Sequence, residues 1–136
     1  MPMTKEEIIR RYFEEAWNQG NLLVLDEIVD QNYINHNPGI ADPAPGPAGL
    51  KPIITAIRQA FPDLKYIIKN LVISDQQVAV HVLMTGTHHG DFFGIAPTHK
   101  TIEVEQMQIE RIVNNKIVEH WRLTDELSLL RQIGQL

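Results

Sequence analysis

Ile8, Ile9, Tyr12, Phe13, Ala16 and Trp17 recur at three- and four-residue intervals, the spacing that gathers side chains on one side of an α-helix. Thr4 followed by Glu7 is a capping-box pattern, so this helix is predicted to begin near Lys5. Gly20 ends it. Asn21 suits the cap of a second helix, about Leu22 to Val29, with Leu25, Ile28 and Val29 inward. Gln31 to Asn37 is short and polar around Tyr33. Pro38 to Pro47 contains Asp42-Pro43-Ala44-Pro45-Gly46-Pro47, which supports neither a helix nor a central strand and predicts a surface loop. A third helix follows over about Gly49 to Ala60, with Leu50, Ile53, Ile54 and Ile57 on its apolar side, and Phe61-Pro62-Asp63 is its exit turn.

Beyond that turn the pattern changes period. Leu64–Ser74, Val78–His88, Lys100–Val113 and Lys116–Thr124 read as strands. Asp75-Gln76 and Asn114-Asn115 are polar links that fit tight hairpins, and Asn tolerates positive φ. The segment from Gly90 to His99 is too long and too apolar for a plain turn. A last helix, about Glu126 to Ile133, stops at Gly134. Helices first and a strand meander afterwards indicate a single α+β domain over residues 1–136. A strongly curved antiparallel sheet holding three helices on its concave face would leave a cavity at its open end.

The strand faces add two expectations. In Val78–His88, one face holds Val78, Val80, Val82 and Met84, and the other holds Ala79, His81, Leu83, Thr85 and Thr87. In Lys100–Val113, Gln106, Gln108 and Glu110 follow Ile102 and Val104 on one face, while Met107 and Ile109 stand on the other. Neither strand alternates cleanly between apolar and polar. A second subunit over the outer face would account for this, so a homodimer or higher homo-oligomer is expected. In the last strand, strict alternation sets Ile117, Glu119, Trp121, Leu123 and Asp125 on one face.

Composition narrows the functional classes. The hydrophobic fraction of 43% and charged fraction of 21% are ordinary for a globular domain. A net charge of −5 with no basic run argues against nucleic acid and anionic membrane surfaces as partners. Without cysteine there are no disulfides, thiolate metal sites or cysteine nucleophiles. The polar start Met1-Pro2-Met3-Thr4-Lys5-Glu6-Glu7 has no apolar signal core, which makes a cytoplasmic location the default. None of the six histidines forms a ligand pair at helical spacing, so no metal site is expected.

Several segments together carry a family resemblance. They are Arg11-Tyr12-Phe13-Glu14-Glu15-Ala16-Trp17-Asn18-Gln19-Gly20, Tyr33-Ile34-Asn35-His36-Asn37-Pro38, Phe61-Pro62-Asp63, Thr85-Gly86-Thr87-His88-His89-Gly90, Phe93-Gly94-Ile95-Ala96-Pro97-Thr98, and Lys116-Ile117-Val118-Glu119-His120-Trp121 with Asp125. In this order the chain resembles the SnoaL-like polyketide and ester cyclases of the nuclear-transport-factor-2-like superfamily. The resemblance implies a cone-shaped α+β fold and intramolecular aldol ring closure on a polyketide ester, without metal or organic cofactor. It also implies an aspartate acid/base at the end of the last long strand, a role that the Trp-x-x-x-Asp match carries onto Asp125.

An aldol closure needs a base beside a carbonyl, a donor for the enolate oxygen and an acid for the attacked carbonyl. A carboxylate buried beside Trp121 and Leu123 would have its pKa raised by desolvation and could serve as base and then acid. The rival role for Asp125 is the N-cap of the final helix, since Glu126-Leu127-Ser128 follows it. His36 and His88 are candidate partners for orienting or sharing a proton. Tyr12, Trp17, Asn35, Phe93, Gln106, Gln108 and Trp121 are candidate substrate contacts. An apolar small-molecule substrate or ligand is the expected partner. A non-catalytic binding module, and an isomerase or dehydratase on the same fold, stay open as alternatives. Epoxide hydrolysis resembles an Asp-Arg-Asp arrangement, for which no second pocket aspartate is evident.

Overall fold

A computed structural model describes residues 2–136. The Thr4 hydroxyl accepts the Glu7 amide (3.1 Å) and opens α1, Lys5–Arg11. The helix then continues as a π-helix over Tyr12–Asn18, where an uninterrupted α-helix is predicted. Its i→i+5 bonding brings residues five apart towards the same side. Tyr12, Phe13, Ala16 and Trp17 are all buried there. α2, Val24–Ile28, is shorter than predicted because Val29 already has extended backbone. The polar stretch after it is a fifth strand, β1, Val29–Asn35. α3, Pro47–Ala60, begins with Pro at its first position, where a missing N–H costs nothing.

β2, Lys65–Ile73; β3, Gln77–Thr87; β4, Thr101–Val113; and β5, Lys116–Thr124 form the predicted meander. The sheet order is β1-β5-β4-β3-β2. β1 joins β5 in parallel, so the sheet is antiparallel everywhere except at that edge. Asn114 and Asn115 both adopt positive φ in the β4–β5 turn, as two-residue hairpins require. α4, Glu126–Gln132, closes the chain, and the result is an α+β cone of curved, unclosed sheet around the N-terminal helices.

The core lies between the helices and the concave face. Ile8, Phe13, Leu25, Ile28, Leu50, Ile54 and Phe61 pack against Val78, Val80, Val82, Ile102, Val104 and Ile117. β4 alternates strictly in burial from Ile102 to Ile112, even though its residue types do not. The inward positions of its middle are Gln106, Gln108 and Glu110, and the outward positions include Met107 and Ile109.

β5 departs from strict alternation. Arg111 pairs with Glu119, but Ile112 pairs with Ile117, so Val118 is an extra residue in a β-bulge. A bulge re-aims every side chain beyond it. Ile117 points inward before the bulge, and His120 is the buried residue after it. Glu119, Trp121 and Leu123 therefore do not share Ile117's face.

Candidate active site

The inner wall of β4 and β5 carries a polar ladder in an otherwise apolar cone. Its rungs are the paired positions Gln106 with Thr124, Gln108 with Arg122, and Glu110 with His120. Gln108 Nε2 donates to Gln106 Oε1 (2.7 Å). Gln106 Nε2 faces the Met84 sulfur at 3.7 Å, a weak acceptor. Glu110 and His120 are each 1% exposed, and His120 Nδ1 is hydrogen-bonded directly to Glu110 Oε1. The other carboxylate oxygen, Glu110 Oε2, has no partner.

Burial pushes the Glu110 carboxyl above its ordinary range, and the positive character of His120 and Arg122 opposes that shift. The tyrosines around the ladder are held neutral. Burial pushes Tyr66 up to about 12 and moves Tyr12 and Tyr33 up as well. The Tyr33 ring lies 6.4 Å from that of His120. Its hydroxyl, Gln108 Oε1 and the Trp17 indole nitrogen are buried without partners. Buried polar atoms are nearly always bonded, so this cluster marks where water or a ligand belongs.

A cavity of about 320 Å³ opens onto the Gln106–Thr124 end of the ladder and Arg122, and Gln108, Glu110 and His120 lie deeper on the same face, outside its lining. Trp17, Tyr66, Met84, Gln106, Arg122 and Thr124 form its inner wall, and Ile53 and Ile57 of α3 and Leu129 and Leu130 of α4 form its apolar sides. Its rim includes Phe92, Phe93 and Ile95, from a tight turn in which Phe93 (φ 46°) and Gly94 (φ 88°) both have positive φ. Asp91 Oδ2 accepts the Gly94 amide and steadies this turn. Gly90 lets the same loop lie against α3, because a Cβ there would meet the Gln59 carbonyl oxygen at 2.1 Å.

Of the residues singled out in the sequence, Tyr12, Trp17, Gln106 and Gln108 lie in the interior around this ladder, and Phe93 stands on the rim. The others lie elsewhere. Asp125 follows the end of β5, is exposed, and accepts the Ser128 amide as the N-cap of α4 (3.1 Å). It is not among the residues of the cavity wall. The anticipated burial of Asp125 beside Trp121 and Leu123 is not found, because the bulge turns those two side chains to the outer face. There, Trp121 stacks on His36 at 4.7 Å between ring centroids. His36 bonds Glu119 (2.9 Å), which also bonds Arg111 (2.7 Å). Asn35 accepts the Asn37 amide and borders a separate cleft with Tyr33. His88 is fully buried between Phe61 and Phe92, with its Nδ1 bonded to Thr98. Among the described residues no group of three or more His, Cys, Asp or Glu is arranged to hold a metal ion, and no helix is long and apolar enough to cross a membrane.

Glu110, His120 and Arg122 are not among the residues that the sequence singles out. Glu110 shares the strand parity of Gln106 and Gln108, and that parity is the signal that could have found it. His120 and Arg122 are hidden by the bulge, which no residue type at Val118 announces.

A curved, unclosed sheet wrapped around a polar-floored chamber defines a class of α+β cones. Within that class, the family model of SnoaL-like polyketide cyclases matches residues 7–133, and the chain belongs to that family. It is 27% identical to the aklanonic acid methyl ester cyclase DnrD of Streptomyces peucetius, over 97% of this chain and 92% of that one. It is 26% identical to the nogalonic acid methyl ester cyclase of Streptomyces nogalater, over 88% of this chain and 90% of that one. Among solved structures, TsrD from Streptomyces laurentii superposes with a TM-score of 0.89 at 22% identity, covering 98% and 99% of the two chains. IdmH from Streptomyces antibioticus does so at 0.83 and 27% identity, over 97% and 99%.

Proposed function

We propose that the chain is a cofactor-free cyclase that closes a ring on a polyketide ester by intramolecular aldol addition, with Glu110 and His120 as its acid/base pair. The observation that carries this is the buried, directly bonded carboxyl–imidazole pair on the same wall as the cavity. Two groups that share a proton in a desolvated site can take one from carbon and return it to oxygen near neutral pH. In the reaction, the pair removes the proton beside a carbonyl. The resulting enolate carbon attacks a second carbonyl in the same molecule and forms the new C–C bond. The proton then passes to the new alkoxide, and the pair is regenerated.

In this reading Asp125 is a helix cap, because its exposed carboxylate accepts the Ser128 amide and is not part of the cavity wall. The esters named for the relatives, aklanonic and nogalonic acid methyl esters, are the first substrates to test. An ester carrying deuterium beside the reacting carbonyl, followed by NMR, should lose one deuteron from that carbon to the water together with ring closure. Both should vanish in His120→Asn. Label exchange without ring closure would instead favour an isomerase, and no exchange with any such ester would favour a binding module.

The reading includes a second copy of the chain over the outer sheet face. Met107, Ile109 and Leu123 are exposed there, at 55%, 41% and 75%, next to Ala79 and Trp121 on adjacent strands. An apolar patch that is continuous across three strands is a characteristic interface.

A further inference from the structure

Four of the six histidines find an oxygen partner. His36 bonds Glu119, His81 bonds Glu105, His88 bonds Thr98 and His120 bonds Glu110. His89 and His99 instead face each other, with their Nδ1 atoms 3.0 Å apart and their ring centroids 5.2 Å apart. Both are exposed, and neither lines the cavity of the cone. The backbone fixes this approach. The His99 amide donates to the His88 carbonyl and the His88 amide to the Lys100 carbonyl (2.9 Å each), so the pairing of β3 with β4 continues past the ends of both strands. The His89 amide donates to the Ala60 carbonyl at the end of α3 (3.0 Å). His99 is held at a φ of 61°, a conformation uncommon outside glycine.

We propose that His89 and His99 chelate one divalent cation of the copper(II) class through their Nδ1 atoms, and so fasten the base of the loop that forms the cavity rim. A metal about 2.0–2.1 Å from each nitrogen would subtend an angle of about 95° across the 3.0 Å gap. That is close to the right angle between neighbouring ligands of a tetragonal site and narrower than the tetrahedral angle of zinc. Imidazole nitrogen is a favoured donor for copper and nickel. As a hydrogen bond alone, the contact needs one Nδ1 protonated and the other bare, whereas a cation takes the lone pair of both. The Asp63 carboxylate is an electrostatic neighbour of His89 and adds negative charge beside the pair. Its oxygens are committed to the Thr87 amide and hydroxyl (2.7 Å each), which leaves the remaining coordination positions to water. His89 and His99 bracket the segment that carries Phe92, Phe93 and Ile95 to the rim. A metal joining its two ends closes that loop as a crosslink does. The site is separate from the proton transfer proposed above and does not depend on it.

The test uses the full chain without any added histidine tag, titrated with copper(II) sulfate in a weakly coordinating buffer. Calorimetry should give one copper per chain. The electron paramagnetic resonance spectrum should be tetragonal, with splitting from two imidazole nitrogens. His89→Ala and His99→Gly should each weaken binding at least tenfold and leave splitting from a single nitrogen. Glycine suits the positive φ at position 99, so that variant removes a ligand without straining the fold. His36→Gln and His81→Gln should bind as the wild type does. Copper should also slow amide exchange over residues 91–98 of the wild type and leave it unchanged in His99→Gly.

Absence of saturable copper binding by the wild type would overturn the proposal, and that measurement needs no variant to fold. Copper binding that survives in both His89→Ala and His99→Gly would overturn it too, as would binding lost in His36→Gln or His81→Gln. Unchanged amide exchange in the copper-loaded wild type would overturn the fastening of the loop. None of these readouts involves turnover.

Discussion

The two faces of the β4–β5 pair are polarised in opposite directions. The inner face, which elsewhere in the sheet is Val78, Val80, Val82 and Val104, carries Gln106, Gln108, Glu110, His120 and Arg122. The outer face, which water should wet, carries Met107, Ile109, Trp121 and Leu123. Burying Glu110 beside unbonded atoms costs stability, and so does exposing a run of apolar side chains. On the proposed reading each inversion is offset by something that meets that face, a substrate on the inside and a second copy on the outside. The bulge at Val118 is the device that separates them. Without it, Glu119 and Trp121 would point into the chamber and His120 would point out of it.

The largest effect expected from breaking the inner face is on catalysis. His120→Ala should lower turnover about 10²- to 10⁴-fold, the usual worth of a positioned acid/base, with a far-ultraviolet spectrum like that of the wild type. The outer face should respond in assembly and not in chemistry. The wild type should sediment as the proposed oligomer, and Leu123→Glu as a monomer, in sedimentation velocity. Turnover per chain should stay within about threefold, since surface changes remote from a site are worth about 0.5 kcal/mol.

A smaller effect separates Asp125 from both faces. Asp125→Ala removes a helix cap worth ~1 kcal/mol. It should lower Tm by roughly 3–5 °C with little change in turnover, and Asp125→Asn should restore the cap.

The subtlest test is the pH dependence of stability. Burial raises the Glu110 carboxyl in the folded chain. The native state therefore holds this proton more strongly than the unfolded chain does. The associated stability is full below the ordinary carboxylate value and is lost as pH rises through the raised one. Melting curves of Glu110→Gln should lack that decline, so its Tm relative to wild type should climb with pH across the window.

Much of the fold is legible in side-chain periodicity. The stripe Ile8–Trp17, the Asn114-Asn115 hairpin and the loop from Pro38 to Gly46 sit where their residue types place them, with Pro47 already opening α3. β1 escapes that reading because Asp30, Gln31 and Asn32 make a polar edge strand without alternation, held by β5 and not by its own apolar face. The π-helix has no residue signature that separates it from the α-helix it extends. Half of the ladder is visible in the sequence, since Gln106 and Gln108 follow Ile102 and Val104 at period two. Its other half depends on a single bulged residue, and one residue of slippage moves a whole strand to the opposite face. Asp125 stands out through that parity and through a family pattern, while its position before Glu126-Leu127-Ser128 already allows a cap.

The central claim is that proton transfer belongs to the buried pair. The direct measurement is kcat for Glu110→Gln and Asp125→Asn on the same polyketide ester, assayed side by side. Each exchange removes one ionisable carboxyl and preserves its shape. A fall of about 10³-fold in Glu110→Gln, with Asp125→Asn near wild type, is the predicted result. Loss of turnover in Asp125→Asn with Glu110→Gln still active would contradict it.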